Sequence, residues 1–326
     1  MMSNNLSVIG AGAWGSALAI SLAENFDTIY LHTHTQEEAD TLQPKHPALS
    51  VNYPSNITPT FDLSQVKEAH SVLIAVPSYG FTDTLKALQV LLSEQQNIAW
   101  VTKGFDTHAQ CFLHESFESI LKQHPSCVIS GPSFAFEVAK RKPTALSIAA
   151  KDKNTQNHWA QIFSTQVLRA YTNDDVMGVE VGGSVKNVLA IAAGIAAELN
   201  YGANTQAALI TRGLAEMTRL GVALGAKPST FNGLSGLGDL VLTCSDDLSR
   251  NRRFGRALAK NQNTKQALES VGATVEGFNA LDLVLSIAKK NQVEMPICEQ
   301  VKQVVEGGAT PTEAVNKLMS RAQVQE

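Results

Sequence analysis

The sequence predicts an α/β protein in which a doubly wound, mostly parallel sheet occupies the amino-terminal half and an all-α domain follows it. Over the first half, apolar runs of strand length alternate with helix-period segments, a pattern typical of a parallel sheet covered on both faces. Near Thr172–Gly183 the strand pattern stops and helical periodicity takes over. We therefore expect a sheet-containing domain at 1–178 and an all-helical domain at 179–326.

The composition is that of a globular protein. The chain has 326 residues, of which 44% are hydrophobic and 17% are charged, and its formal net charge is −4. This length favours two domains. The first residues do not resemble a secretory signal, and the nearest candidate for a membrane span, Val188–Ala197, is too short. We expect a cytoplasmic protein without a membrane span.

The cysteines predict neither a zinc site nor a disulfide framework. They are far apart along the chain, and none belongs to a paired spacing: Cys111, Cys127, Cys244 and Cys298. Zinc sites usually take closely spaced cysteines as ligands, and disulfides form in an oxidising compartment. We expect reduced, mostly buried thiols and no metal.

A glycine-rich turn follows the first predicted strand. The order is strand, Gly10-Ala11-Gly12-Ala13-Trp14-Gly15, amphipathic helix and second strand, which is the context of a dinucleotide-binding motif. Gly10 permits the tight turn, Gly12 lets the main chain approach a pyrophosphate, and Gly15 lets the helix pack on the strand. We therefore expect a Rossmann-type domain; the alternative is a glycine turn without a ligand.

The end of the second predicted strand bears on the choice of dinucleotide. Its sequence is LHTHTQEE, so His34 lies where an acidic residue would hold the ribose 2′-hydroxyl of NAD. Because Glu37 and Glu38 come slightly later, a 2′-phosphate is not excluded, and a partly charged His34 could favour it. We expect NADP, with NAD also accepted. In the alternative interpretation, His34 is an exposed residue that touches adenine only loosely.

Polar residues follow several of the later predicted strands. The strand-like runs are Ser71–Pro77, Asn97–Gly104, Ser126–Pro132 and Thr144–Ala150. Ligands of such sheets bind beyond the carboxyl ends of the strands, where Lys103 and the segment Gly131-Pro132-Ser133 are expected. Lys103 is interpreted as projecting into a cofactor crevice, against the alternative of a surface lysine.

Helices are predicted throughout the second half. They are Ser184–Leu199, Asn204–Leu224 with Asn204 as its cap, Gly277–Lys290, Ile297–Val305, and a last helix opened by Thr310, Pro311 and Glu313. Lys186 and Asn187 are expected at the start of the first of these. The Lys186 ammonium either reaches a crevice, where burial would suit it to acid–base chemistry, or extends to the surface.

An arginine-rich helix is predicted after the glycine-rich segment FNGLSGLGDL, which we expect to be a flexible or sharply turning loop. Ser249 is the expected cap of a helix from Arg250 to Lys260. Its free N–H groups, its dipole and the side chains of Arg250 and Asn251 predict a phosphate site.

The other arginines of this helix fall on different faces. Arg252 and Arg256 share one of them and are expected to pair with acids such as Asp246 and Asp247. A nucleic-acid interface is disfavoured, because this basic cluster is short, acids precede it and no aromatic array accompanies it.

Several longer motifs resemble the bacterial NAD(P)-dependent sn-glycerol-3-phosphate dehydrogenase family. They are GAGAWG, TKG from Thr102, GPSFA from Gly131, VKN from Val185, LITRGLAEM from Leu209, GLGDLVLTC from Gly236, LSRNRRFG from Leu248 and VEG from Val275. They cover nearly the whole chain in the family's order. One departure is Ala13, where many relatives carry serine, so a hydroxyl contact to phosphate is lost while the main-chain N–H remains.

The resemblance implies a fold, a reaction and a set of site residues. The helical domain would be like the carboxy-terminal domain of 6-phosphogluconate dehydrogenase. The reaction would be the reversible reduction of dihydroxyacetone phosphate to sn-glycerol 3-phosphate by NADPH or NADH, for glycerophospholipid biosynthesis. Lys186 would be the proton donor and acceptor, and Asp239 would hold and orient it.

The remaining site residues follow from the same resemblance. Those implied at the substrate are Lys103, Gly131, Ser133, Lys186, Asn187, Asp239, Thr243, Ser249, Arg250 and Asn251, of which Gly131 and Ser133 could also touch the cofactor. Those implied at the cofactor are Gly10, Gly12, Ala13, Trp14, Gly15, His34, Lys103, Ala135, Arg250 and Glu276.

Two other functions stay open at this point. One is a different two-domain dehydrogenase that acts on a 3-hydroxy acid or a phosphosugar acid. The other is a non-catalytic module that senses a dinucleotide. The apolar helical half is also compatible with a homodimer.

Overall fold

An eight-stranded sheet forms the centre of the amino-terminal part of the chain. The computed structural model describes residues 4–93, 96–260 and 263–320. The chain divides into two compact units, Met1–Glu180 and Val181–Glu326. The strands of the first unit are β1 (Asn5–Ile9), β2 (Thr28–His32), β3 (Ile57–Thr60), β4 (Ser71–Ile74), β5 (Asn97–Trp100), β6 (Phe105–Asp106), β7 (Cys111–Phe112), β8 (Ser126–Ser130), β9 (Thr144–Ala149) and β10 (Leu168–Asn173).

The sheet is doubly wound, as predicted. Its strand order is β10-β9-β8-β5-β4-β1-β2-β3, while β6 and β7 form a separate hairpin. Only the β8–β9 pair of the large sheet is antiparallel. The chain reverses its direction of travel across the sheet between β1 and β4, and sheets of this type bind dinucleotides at such a reversal.

Helices cover both faces of this sheet. They are α1 (Ala13–Leu22), α2 (Gln36–Thr41), α3 (Phe81–Gln89), α4 (Leu113–Leu121), α5 (Ala135–Ala139) and α6 (Lys153–Ile162). One core layer joins Leu18 of α1 and Trp159 of α6 to the sheet, and the other joins Phe81 of α3 and Phe117 of α4 to it. Burial on both faces explains why the inner strands are continuously apolar.

The sequence analysis missed the short hairpin β6–β7 and two strands of the large sheet, and these two lie at its edges. β3 contains Pro59 and only one buried residue, and β10 alternates buried and exposed positions at Leu168 and Arg169. An edge strand needs neither a continuous apolar run nor every N–H of its ladder. The apolar-run criterion therefore finds the centre of this sheet but not its edges.

The second unit is helical, as predicted. The helices are α7 (Val176–Glu198), which begins in the first unit, α8 (Gly202–Ala223), α9 (Pro228–Phe231), α10 (Asp239–Ser245), α11 (Arg250–Ala259), α12 (Thr264–Val271), α13 (Glu276–Lys290), α14 (Pro296–Val305) and α15 (Pro311–Met319). Ser249 caps α11 by accepting a hydrogen bond from the Arg252 N–H, and Thr310 and Glu313 form a capping box on α15. Both predicted caps are confirmed.

Three local predictions in this unit were wrong. Helix α7 begins at Val176, so Lys186 lies near its middle and not at its start. Helix α8 begins at Gly202 after Tyr201, so Asn204 lies inside its first turn and does not cap it. The glycine-rich segment before α10 is a π-helical turn over Leu234–Gly238 and not an open loop.

The glycines explain two of these errors. A Cβ on Gly182 would lie 2.3 Å from the carbonyl oxygen of Ser235, and one on Gly236 would lie 2.1 Å from that of Phe231. These glycines allow backbones to touch, whereas the sequence analysis placed Gly182 at a domain boundary before the helix and Gly236 in a flexible or sharply turning loop.

Helix α7 is a longer candidate for a membrane span than the run Val188–Ala197 considered in the sequence analysis. It is long and apolar enough to cross a membrane by length and composition, although the run Val188–Ala197 alone is too short. Its most apolar window lies entirely inside the structure. We therefore describe α7 as the core helix of a globular protein.

A buried carboxylate joins α8 to α14. Glu216 is 2% exposed, and its carboxylate oxygens accept hydrogen bonds from the main-chain N–H groups of Ile297 (2.7 Å) and Cys298 (3.4 Å). Burial raises the pKa of Glu216 to about 7, and the two N–H groups offset only part of that effect. Glu216 therefore changes charge near neutral pH.

We expect Glu216→Gln to stabilise the protein above pH 7. The pKa of Glu216 is about 4.5 in the unfolded chain and about 7 in the folded protein. The contribution of Glu216 to the free energy of unfolding is therefore complete below pH 4.5 and is lost as the pH rises to 7. Between pH 5 and pH 8 the wild type should lose about 2–3 kcal/mol of unfolding free energy relative to the variant. Denaturant unfolding at several pH values measures this difference. Glu269→Gln, at an exposed position, is the control, and a constant offset for Glu216→Gln would contradict the prediction.

Candidate active site

The glycine turn after β1 has the conformation that dinucleotide binding requires. Gly10 has φ +107°, and its N–H donates to the carbonyl oxygen of His32 (3.0 Å). A Cβ on Gly15 would lie 2.0 Å from the carbonyl oxygen of Gly10, so α1 packs against the turn itself. At Gly12, in contrast, a Cβ would meet none of the described residues within 4 Å. The turn is therefore closed toward the sheet and open at Gly12, where a pyrophosphate would approach.

The start of α1 completes this anion-binding turn. The helix begins at Ala13, and none of the described side chains caps it. Its first N–H groups, from Ala13 and the half-buried Trp14, are thus suited to bind phosphate oxygens. The site fits a dinucleotide even though Ala13 has no hydroxyl.

A tyrosine that the sequence analysis missed supports this turn. The Tyr53 hydroxyl lies 2.9 Å from the Ser16 hydroxyl, which in turn donates to the carbonyl oxygen of Ala11 (3.1 Å). Tyr53 comes from a segment between α2 and β3, remote in sequence from the glycine motif. The apolar and glycine patterns carry no signal for this contact.

The end of β2 is followed by an exposed histidine and by two acids in the first turn of α2, Glu37 and Glu38. His32 is buried, and burial lowers its pKa to about 4, so its ring is neutral. His34 is exposed. The Glu38 carboxylate accepts a hydrogen bond from the His34 main-chain N–H (2.9 Å) while Thr35 caps the same helix α2. The Glu38 carboxylate is therefore engaged by the main chain at the start of α2.

A second group of predicted residues meets around the Gly131 carbonyl oxygen. This oxygen accepts hydrogen bonds from Lys103 Nζ (3.1 Å) and from the Ser133 hydroxyl (3.1 Å). Gly131 follows β8 with φ +147°, and Ala135 is the first residue of α5. Lys103 is half-buried, and it lies just after the end of β5. The sequence correctly placed these residues beyond the strand ends.

The second unit contains a buried lysine between two polar partners. Lys186 is 6% exposed, and its Nζ donates to Asp239 Oδ1 (2.9 Å) and to Thr243 Oγ1 (2.8 Å). The Thr243 hydroxyl donates to the main-chain oxygen of Asp239 (2.6 Å). Burial raises the pKa of the neighbouring Cys244 thiol to about 12, so that thiol stays neutral. An ammonium that is fixed in this way is suited to proton transfer.

The asparagines predicted at the substrate bond to each other. Asn251 Nδ2 donates to Asn187 Oδ1 (2.9 Å), and Asn251 Oδ1 accepts from the Gly277 N–H (2.8 Å). Both asparagines are buried. Through Gly277 this chain reaches Glu276, the half-buried first residue of α13.

The start of α11 carries the predicted phosphate-binding residues. Arg250 is the exposed first residue of the helix, directly after the buried cap Ser249. Arg252 and Arg256 both pair with Asp247, as expected, and Arg256 also binds Glu198 (2.9 Å). Arg250 thus stands apart from the ion pairs that bind its neighbours.

The described residues were also compared with the requirements of metal and disulfide sites. Across residues 4–93, 96–260 and 263–320, no group of three or more His, Cys, Asp or Glu side chains could hold a metal ion. The cysteines are free thiols, three of them buried.

A doubly wound sheet with an open glycine turn, in one chain with a buried lysine–carboxylate pair, defines a dinucleotide-dependent oxidoreductase. The sequence matches the family described as NAD-dependent glycerol-3-phosphate dehydrogenase, with the amino-terminal model over residues 5–156 and the carboxy-terminal model over 175–316. The chain belongs to this family.

Individual relatives support the same family membership. A glycerol-3-phosphate dehydrogenase (NAD(P)+) of Ruthia magnifica subsp. Calyptogena magnifica is 65% identical over 325 residues, which is 100% of both chains. One of Legionella pneumophila (strain Corby) is 45% identical over 98% of both. The crystal structure of glycerol-3-phosphate dehydrogenase from Coxiella burnetii is 39% identical, with a TM-score of 0.92 over 98% of this chain and 100% of that one. The predicted family and fold class are confirmed.

Proposed function

We propose that the chain catalyses the reversible NAD(P)H-dependent reduction of dihydroxyacetone phosphate to sn-glycerol 3-phosphate, with Lys186 as general acid and base. Family membership and the names of relatives that match over their full length support the reaction. The observation that carries the assignment of residues is the Lys186 ammonium, buried and fixed by Asp239 and Thr243. The product would supply glycerophospholipid synthesis.

The proposed proton transfer follows from this arrangement. A dinucleotide held at the glycine turn Gly10–Gly15 would supply the hydride for the carbonyl carbon of the substrate. Lys186 Nζ gives a proton to the carbonyl oxygen as negative charge develops there, and water then reprotonates the amine. Asp239 and Thr243 hold Nζ in one position, so little reorganisation is needed in the transition state. In the oxidative direction, the neutral amine takes the proton back.

Phosphate recognition is assigned to the start of α11. Arg250 is the exposed first residue of a ten-residue helix, and a phosphate bound there would be favoured by bidentate hydrogen bonds from the guanidinium and by the helix dipole. We assign the other predicted residues to ligand binding as well. At the substrate these are Lys103, Gly131, Ser133, Asn187, Ser249 and Asn251. At the cofactor they are Gly10, Gly12, Ala13, Trp14, Gly15, His34, Lys103, Ala135, Arg250 and Glu276.

We also propose that both dinucleotides are accepted, with a preference for NADP(H), and that the enzyme acts in the cytoplasm. The end of β2 supports the preference, because His34 is exposed there and the Glu38 carboxylate already accepts a hydrogen bond from the His34 main-chain N–H. An acid that grips the ribose 2′-hydroxyl and repels a 2′-phosphate is the usual device for selecting NAD.

The variant His34→Asp should therefore shift the preference toward NAD(H). We expect kcat/KM for NADPH to fall ~10-fold or more relative to that for NADH, because a carboxylate within a few ångströms of the 2′-phosphate repels it. Steady-state kinetics with each cofactor measure the ratio. His34→Asn tests whether the charge is responsible, and an unchanged ratio in His34→Asp would place His34 away from the ribose.

The decisive assay of the function follows the absorbance of the reduced nicotinamide after dihydroxyacetone phosphate is added. We run it once with NADPH and once with NADH. Cofactor binding without turnover would indicate a sensing module. Turnover only with a 3-hydroxy acid or phosphosugar acid substrate would indicate a different dehydrogenase.

A further inference from the structure

Helices α7 and α11 meet at backbone distance through two glycines. A Cβ on Gly255 of α11 would lie 2.0 Å from the carbonyl oxygen of Ile191, and a Cβ on Gly194 of α7 would lie 2.0 Å from that of Arg252. Real Cβ contacts are essentially never shorter than 3.0 Å. A methyl group at either position would therefore force the helices apart by about 1 Å, because packed interiors contain no space to absorb it.

This contact lies next to the proposed catalytic groups. One helical turn before Ile191 and Gly255 lie Asn187 and Asn251, whose side chains bond to each other (2.9 Å). The asparagine bond and the two glycine contacts together fix the place where α7 and α11 cross. Lys186 directly precedes Asn187, and Arg250 directly precedes Asn251, so the glycine contact and the asparagine bond align the amine with the guanidinium.

The other two site segments are attached to α7 in the same manner but at separate places. Gly277, at the start of α13, would bring a Cβ to 2.4 Å from the Asn187 carbonyl oxygen, and its N–H holds Asn251. Gly182 lets the segment before α10 touch α7 at Ser235. Asp239 therefore stays aligned with Lys186 when α11 alone is displaced.

We propose that Gly194 and Gly255 are positioning residues that set the separation between the Lys186 amine and the Arg250 guanidinium, and hence the specificity for a short keto phosphate. The inference rests on the proposed function, in which one group serves the carbonyl oxygen and the other serves the phosphate. A three-carbon substrate can engage both groups only if their spacing is fixed, and a larger spacing leaves one of its ends unbound.

The test compares two substrates in three variants. Gly255→Ala displaces α11. Gly277→Ala places a methyl group against the Asn187 carbonyl and Asn251 Oδ1 from the first turn of α13. The loop before α13 can yield to this methyl group, so the variant serves if Gly255→Ala does not fold. Gly213→Ala is the matched control, since the atoms nearest to a Cβ on this helical glycine of α8 belong to the flexible side chain of Leu189, at 3.1 Å and beyond. Each folded variant, checked by circular dichroism, is assayed with dihydroxyacetone phosphate and with phosphate-free dihydroxyacetone.

We expect Gly255→Ala and Gly277→Ala to lower kcat/KM for the phosphate ester ~10- to 100-fold, because a misplacement of about 1 Å costs rates of that order. The phosphate-free substrate should lose less than ~3-fold, since Lys186 and Asp239 stay aligned. A purely structural role would lower both activities equally. The inference would be overturned by that result. It would also be overturned if both variants kept the wild-type preference for the phosphate ester, or if neither variant folded. A wild type inactive on dihydroxyacetone phosphate would instead refute the proposed function.

Discussion

Replacing Lys186 by methionine is expected to lower kcat by ~10²- to 10⁴-fold, the usual contribution of a positioned general acid. Methionine has a similar length and fills the space, but it has no proton to give to the developing alkoxide. Steady-state kinetics at saturating substrate measure kcat, and a fluorescence titration with the reduced cofactor should give an affinity close to that of the wild type. A variant that retained wild-type turnover would exclude the acid–base role.

The design of this experiment must allow for the partner of the lysine. Asp239 is 1% exposed, and a single substitution of Lys186 leaves its carboxylate without the ammonium. A buried pair that loses one member typically costs about 3–5 kcal/mol of stability. We therefore add the double variant Lys186→Met with Asp239→Asn, which removes both charges. Lys289→Met, at an exposed lysine of α13, is the control. If added methylamine restores turnover to the single variant, the missing group is the amine itself.

Local signals in the sequence predicted most of the elements that carry the site. The Ser249 cap, the glycine turn at Gly10 and the strand end before Gly131 each depend on a few adjacent residues, and the structure has all three. A cap or a tight turn satisfies main-chain groups within one turn, so its residues must be close together in sequence. Such features can be interpreted without knowing the rest of the chain.

The environment of Lys186 could not be derived in this way. Its partner Asp239 is 53 positions away along the chain, and no periodicity connects the two residues. Gly182 and Gly183 were interpreted as a break before a helix, whereas they lie inside α7 because a neighbouring backbone occupies the place of a side chain at Gly182. From the residues alone, the sequence left Lys186 undecided between a crevice and the surface; only the family resemblance paired it with Asp239. Glycine favours flexible loops and close helix packing alike, so its meaning depends on long-range contacts.

Removal of the Arg250 side chain is expected to lower kcat/KM for dihydroxyacetone phosphate by ~10- to 100-fold, which corresponds to the loss of about 1.5–3 kcal/mol of charged hydrogen bonding. Most of the effect should appear as a higher KM, because the guanidinium binds phosphate equally in the ground state and in the transition state. Arg250→Ala is the variant. Initial rates over a range of substrate concentrations separate KM from kcat.

Two comparisons determine whether the phosphate is the partner of Arg250. Arg253→Ala removes another exposed arginine from the same helix, so it controls for the general loss of positive charge. Phosphate-free dihydroxyacetone lacks the group that Arg250 would bind, and its kcat/KM should change little in Arg250→Ala. Equal losses for both substrates would show that Arg250 acts on the reacting carbonyl, on the cofactor or on the fold of α11. High salt should weaken binding of the phosphate ester to the wild type more than to Arg250→Ala, because screening acts on the charge that the variant lacks.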